Sequence, residues 1–271
     1  MLSSLVNAIQ ETVYAERHSA TVGLLQQIDP RVKLFSIAAL VVSAVAVRTI
    51  APLIIVLAAI IILCVASRIS LTFFAVRTLI FIPVFAGLIA LPLIFITPGL
   101  ALAGFKFNGL VLVITREGLY KAAQFTLRVW VCVALSVLLI LTTRFSKLIG
   151  AMDHLRFPRV FVMMTSITYR FIFLFLNEGY RMLLARESRI TKELRWRENV
   201  GSLAKIVATL FVRAHERGER VYLAMAARGY AGMLRRLDIM KCVMRDWVFA
   251  SASALICVAM LSVEYLRLGG L

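Results

Sequence analysis

Apolar positions along this chain fall into long continuous blocks, without the alternation that marks a half-buried strand. Each block approaches the roughly 20 residues a helix needs to cross a bilayer's hydrocarbon. The first covers 34–47 and the second 51–67, and only Arg48-Thr49-Ile50 separates them. That spacing predicts a tight helical hairpin, with Pro52 in the opening turn of the return helix, where a missing N–H costs nothing. Arg31, Lys33 and Arg48 lengthen the first block by snorkelling outward. A third block, 78–97, contains Pro83, Gly87 and Pro92 and predicts a kinked helix beginning near Arg77. The fourth, 122–143, carries Arg128. The fifth, 247–266, holds Ser251-Ala252-Ser253-Ala254, small side chains that let helices approach closely.

A further run, 160–177, is apolar on every side except Arg170. Charge argues against its crossing. Segment 178–246 carries 15 Lys/Arg against 8 Asp/Glu, and Arg144, Lys147, Arg156 and Arg159 precede the run. A crossing would put these two basic groups on opposite sides of the membrane, against the cytoplasmic preference of Lys and Arg. The run is therefore predicted to lie buried against the spanning helices from the cytoplasmic side. That leaves five spans, with the N-terminus inside and the C-terminus outside. A crossing would make six.

Between the fourth and fifth spans the period changes to that of amphipathic helices. Phe145, Leu148, Ile149 and Met152 mark a short one, ended by Pro158. From 159 to about 198 no Pro intervenes and Gly179 is the sole weak point, which predicts one long helix. Gly201-Ser202 offers a break and an N-cap. After it Leu203, Ile206, Val207, Leu210, Phe211, Ala214, Val221, Tyr222 and Met225 keep one apolar face, predicted to pack across the preceding helix. This helix should stop at Arg228-Gly229, with Gly229 left-handed at the position after the cap and the cation at the negative end of the dipole.

Composition agrees with the pattern. The 271 residues are 61% hydrophobic, with a mean hydropathy of +0.90. The class is an all-α polytopic membrane protein of the cell (inner, cytoplasmic) membrane, with about five transmembrane helices and a cytoplasmic platform of long amphipathic helices. Its segments are 1–28, 29–143 with four spans, 144–246 with the platform, and 247–271 with the last span. Leu2, Leu5, Val6, Ile9 and Val13 give 1–28 an apolar face, but Asn7, Gln10, Glu11, Glu16 and Arg17 deny it a signal-peptide core. The net charge of +17 belongs to cytoplasmic loops rather than to a nucleic-acid surface.

Catalytic patterns are missing. Cys64, Cys132 and Cys257 lie in apolar runs and Cys242 stands alone; His18, His154 and His215 lack ligand spacing. There is no phosphate loop, nucleotide-binding glycine fingerprint or nucleophile elbow. No metal site, bound cofactor or enzymatic activity is expected of this chain, and its energy must come from elsewhere. Arg128 and Arg170 either pair with carbonyls or with Glu178 to hold helices, or contact a substrate.

Three stretches carry a resemblance. Asp29-Pro30-Arg31-Val32-Lys33-Leu34 leads into the first span. Tyr169-Arg170-Phe171 and Glu178 to Arg189 surround Ala185-Arg186-Glu187. Ala227-Arg228-Gly229-Tyr230 with Gly232 closes the platform. Together they resemble the transmembrane T component of energy-coupling factor transporters, cobalt-type CbiQ. The resemblance implies that Ala185, Arg186 and Glu187, and Ala227, Arg228 and Gly229, dock on ABC-type ATPase subunits (CbiO-like), each Arg meeting an acid. Arg189, Tyr230, Gly232, Arg170 and Glu178 would support them. Glu187 departs from the motif: it competes for Arg186, and Arg189 is the neighbouring candidate for the same contact. Further implied partners are a substrate-binding membrane subunit (CbiM-like), a small accessory membrane subunit (CbiN-like) and the lipid bilayer, with ATP used by the ATPase and cobalt or nickel carried. A vitamin such as biotin is the alternative cargo. A membrane-embedded lipid-phosphate enzyme would need paired acids that Asp153, Asp238 and Asp246 do not supply, and a passive scaffold would present similar helices.

Overall fold

The computed structural model describes residues 23–79, 82–98, 101–107, 110–155, 157–190, 195–230 and 243–268. The amphipathic face expected in 1–13 lies outside them. After a short 3-10 turn at Leu25–Gln27 come α1 (Pro30–Ala46), α2 (Ile50–Ala66), α3 (Leu71–Leu79) and α4 (Ile82–Ile96). Strands β1 (Ala101–Phe107) and β2 (Leu110–Thr115) follow, then α5 (Arg116–Thr142), α6 (Phe145–His154), α7 (Arg159–Glu187), α8 (Trp196–Ala227) and α9 (Met244–Leu268). Helices α6, α7 and α8 form one compact unit; α1 to α5, the strands and α9 form another. The protein is a helical membrane protein. By length and composition 116–142, 159–187 and 244–265 can each cross a bilayer, and 50–66 and 84–95 are shorter apolar helices.

In the α1–α5/α9 unit the core is built on α5. Val131, Ala134, Leu135, Leu138 and Leu141 recur at helical spacing and meet Ile37, Leu40 and Ala44 of α1, Leu53, Val56 and Ile60 of α2, and Met260 of α9. Lipid tails are as apolar as leucine, so close fit rather than water exclusion holds these helices together. Helix α9 offers α1 a stripe at heptad spacing, Asp246, Ser253 and Met260, all buried. Of the small residues predicted to pack, only Ser253 does so; Ser251, Ala252 and Ala254 face outward.

Polar side chains fasten α1 at both ends. At its start Asp29 caps the helix by accepting from the Arg31 N–H at 2.9 Å, with Pro30 in the first turn as its chemistry favours. The Asp29 N–H donates to Asp246 Oδ1 at 2.9 Å, and Asp246 Oδ2 accepts from the Val243 N–H at 2.7 Å, closing the first turn of α9. Lys33 does not snorkel. It is 1% exposed, and its Nζ donates to the Thr142 carbonyl at 3.2 Å and Thr143 Oγ1 at 3.0 Å. The negative end of the α5 dipole draws the ammonium inward. At the far end of α1, Arg128 Nη2 donates to the Val47 carbonyl at 2.6 Å, and Glu264 accepts from the Arg48 N–H at 3.1 Å. Arg128 is thus bound to a carbonyl, one of its two expected states.

In the third apolar block α3 is described to Leu79 and α4 from Ile82, with Pro83 in its first turn and Pro92 inside it; the kink expected between them falls at 80–81, outside the described residues. Arg77 lies over the Phe73 ring, 5.0 Å from its centre. Between α4 and α5 stands an antiparallel hairpin that the apolar blocks did not predict, paired from Ala101↔Thr115 to Phe107↔Leu110. Its intervening residues are Asn108 and Gly109, a pair favoured in two-residue connections. Gly118 permits the close approach of α4 and α5. A Cβ there would stand 2.6 Å from Thr97 Oγ1 and 2.7 Å from the Ile94 carbonyl.

One expectation about the other unit needs correction. The long helix ends at Glu187, and α8 begins at Trp196, so the break precedes Gly201-Ser202. Glu198 takes the capping role by accepting from the Arg195 N–H at 3.3 Å. Gly201 sits in an open part of α8, where glycine costs the helix only about 1 kcal/mol. Within the α6–α8 unit 160–177 is largely uncovered: only 6% of the apolar window of α7 is buried, and Val160, Phe161, Met164 and Ile172 are exposed. Apolar helix surface without a covering neighbour in its own unit is suited to lipid or to other helices.

Candidate functional site

Helices α7 and α8 run antiparallel, fixed at three levels. Near the α7 C-terminus Arg186 contacts the first turns of α8; midway Glu178 pairs with Arg213; near the α8 C-terminus the Tyr230 hydroxyl donates to Met163 Sδ. The helices therefore lie alongside one another, where the sequence predicted a crossing. Glu178 is engaged by Arg213, and among the described residues no ion pair joins it to Arg170. On the other side of α7, the Tyr169 ring lies between Phe145 of α6, tilted at a centroid distance of 4.6 Å, and Phe173, edge-on at 5.2 Å.

The second Ala-Arg doublet forms the tip of α8. Ala227 is its last residue and Arg228 its cap. Gly229 has φ +74°, the left-handed conformation expected of it. Its N–H donates to the Ala226 carbonyl at 3.0 Å, and the Tyr230 N–H donates to the Met225 carbonyl at 3.1 Å. These two bonds constitute a Schellman closure. A Cβ on Gly229 would meet nothing within 4 Å, so conformation alone asks for glycine here. Arg228 is exposed; its N–H donates to the Met225 carbonyl at 3.1 Å, while its guanidinium has no bonded partner among the described residues. Arg170 of α7 lines the same groove of about 470 Å³, whose floor is Ile167, Phe171, Val221 and Met225. The sequence did not foresee that these two guanidiniums share a groove, and no carboxylate lines it. Gly232 lies outside the described residues.

The first doublet sits at the opposite end of the helical pair. Ala185 and Glu187 are exposed and Arg186 is half-buried. Arg186 Nε donates to Ser202 Oγ at 2.7 Å, and its Nη2 donates to Asn199 Oδ1. Among the described residues no ion pair joins Glu187 to Arg186, as neighbours about 100° apart on a helix would suggest. Arg189 is exposed, in the turn after α7, its N–H donating to the Arg186 carbonyl at 3.0 Å. Ser202, predicted to cap a helix, is instead a partner of Arg186. Asn199 was missed altogether, although its i, i+3 spacing with Ser202 puts both on one face.

Much of the apolar face of α8 is open: Val207, Phe211 and Tyr222 are 65%, 73% and 66% exposed. Helix α7 covers only part of it. An exposed apolar stripe bordered by cations is chemistry suited to another protein, not to a small polar substrate.

Comparison with known proteins agrees with this architecture. The profile of the cobalt transport protein family, CbiQ, matches residues 22–238. An uncharacterised protein of Methanocaldococcus jannaschii is 34% identical over 94% of this chain and 88% of its own length. The cobalt transport protein CbiQ of Rhodobacter capsulatus is 29% identical over 56% of this chain and 62% of its own. The energy-coupling factor transporter transmembrane protein EcfT of Thermanaerovibrio acidaminovorans is 33% identical over 56% and 60%. The chain belongs to the CbiQ family and is a transmembrane component of an energy-coupling factor transporter.

Proposed function

We propose that this chain couples ATP hydrolysis in a pair of ABC-type, CbiO-like ATPases to the movement of a separate CbiM-like substrate-binding subunit, with a CbiN-like accessory subunit, during cobalt uptake. The observation that carries this reading is the tip of α8, where a Schellman closure presents an unpartnered Arg228 beyond the helix. A guanidinium held at a rigid helix end suits a bidentate contact with a partner's carboxylate. The clasps between α7 and α8 let a push on that tip travel as rigid-body motion. The α6–α8 unit faces the cytoplasm in this reading, because the basic excess of 178–246 favours that side. ATP is consumed by the partner, and the chain itself catalyses nothing.

Cobalt is favoured as cargo by the family profile and by the Rhodobacter relative, with nickel its chemical neighbour. A vitamin cargo is the second reading, favoured by the comparable identity to the EcfT relative. The substrate subunit would decide between them.

The test is co-purification from membranes of the tagged chain with its candidate ATPase. Wild type should retain the ATPase, and Arg186→Ala/Arg228→Ala should lose it. Arg228→Ala alone should weaken docking by roughly 2–5 kcal/mol, the cost of truncating one partner of a buried charge pair. It should stop cobalt uptake while leaving membrane insertion unchanged. Failure of the wild type to bring down any ATPase would overturn the reading.

A further inference from the structure

Arg186 is held by an unusual pair of partners. A half-buried guanidinium would ordinarily meet a carboxylate, and two acids lie at hand: Glu187 beside it and Glu198 next to Asn199. Neither is used. Glu187 turns away on the helix surface, and Glu198 is spent on the Arg195 N–H at 3.3 Å. The side edge of the guanidinium instead rests on an amide and a hydroxyl, Asn199 Oδ1 and Ser202 Oγ. These acceptors satisfy donors and fix the plane of the group without cancelling its charge. No bond engages Nη1 among the described residues. The positive end of the α8 dipole lies at the same place and adds to the cationic field.

We propose that Asn199 and Ser202 are positioning residues for ATPase docking: they hold Arg186 as an oriented, uncompensated cation whose Nη1 end is offered to a carboxylate of the partner. Arg186 and Arg228 thus differ in kind. Arg228 is presented by backbone geometry at a helix tip, whereas Arg186 needs a cradle because it lies within the last turn of α7. The inference rests on the coupling function proposed above and assigns a role to two residues of α8 that belong to neither Ala-Arg doublet.

The charge-specific variant is Asn199→Asp. It keeps the shape of the cradle and strengthens the internal clamp, so a purely structural role predicts a chain at least as heat-stable, with docking unchanged. The cradle role predicts the reverse for docking, because the new carboxylate occupies and neutralises Arg186. The experiment uses the complete complex, comparing wild type, Asn199→Asp, Asn199→Ala/Ser202→Ala, Arg186→Ala and Arg228→Ala for ATPase retained and cobalt carried per ATP hydrolysed. Asn199→Asp should weaken ATPase capture roughly ten- to a hundredfold, matching Arg186→Ala, while the purified chain stays monodisperse. The double variant keeps the charge but frees the group, and should lose docking several-fold less. Wild-type capture by Asn199→Asp would overturn the proposal, as would an Arg186→Ala chain that docks normally while Arg228→Ala does not. If neither arginine matters, the coupling function itself fails. Should Asn199→Asp not fold, the double variant decides: unchanged docking overturns the cradle, and reduced docking supports it.

Discussion

Single side chains here do work that depends on where their partners lie. Gly229 is needed for its φ of +74°, so Gly229→Val should strain the α8 tip by about 1–3 kcal/mol and misdirect Arg228. The expected result is reduced cobalt uptake with normal membrane levels, measured beside Gly229→Asn, which tolerates the left-handed region better. Lys33 works differently. Lys33→Met removes the donor to two buried acceptors at the end of α5, a net loss of about 1–3 kcal/mol after relief of the ammonium's desolvation. It should lower the melting temperature of the purified protein in detergent. The conformation of Gly229 was legible because the stop signal is local: an amphipathic helix, an Arg and a Gly in sequence. Lys33 was illegible because its partners stand 109 and 110 positions away, and a lysine at a helix start reads by itself as a snorkel.

Helices were found where apolar blocks lay, but their ends followed capping chemistry that a hydropathy pattern does not carry. Gly201-Ser202 looked like a boundary because glycine and serine are common at breaks; Glu198 and the Arg195 amide set the start earlier. The β-hairpin escaped notice because strands of six and seven residues vanish beside blocks of twenty. The Asn108-Gly109 pair was the signal that could have found it. Helix contact supplies a further test. Gly118→Ala places a Cβ within 2.7 Å of the Ile94 carbonyl and of Thr115 Oγ1, so α4 and α5 must separate or tilt. Overpacking of this kind costs about 1–3 kcal/mol, and it should appear as a lower midpoint in thermal unfolding, with Gly87→Ala, which meets nothing within 4 Å, as the clash-free control whose midpoint does not fall.

The chain passes from its α1–α5 unit into the α6–α8 unit just after Thr143 and returns just before Val243. Both places are tied to the opening turn of α1, through Lys33 at the first and Asp29 with Asp246 at the second. A sequence reading could place the segments along the chain but not this convergence, since it pairs residues 217 positions apart. The arrangement has a consequence for biogenesis. A ribosome making roughly 5–20 residues each second needs about ten to forty seconds to travel from Asp29 to Asp246. Throughout that interval α1 waits with the Asp29 amide unmatched, whereas the Lys33 ammonium meets its acceptors once Thr142 and Thr143 have been made. Helix α1 is thus made early and sealed late, and the newborn protein stays open to membrane quality control until α9 arrives.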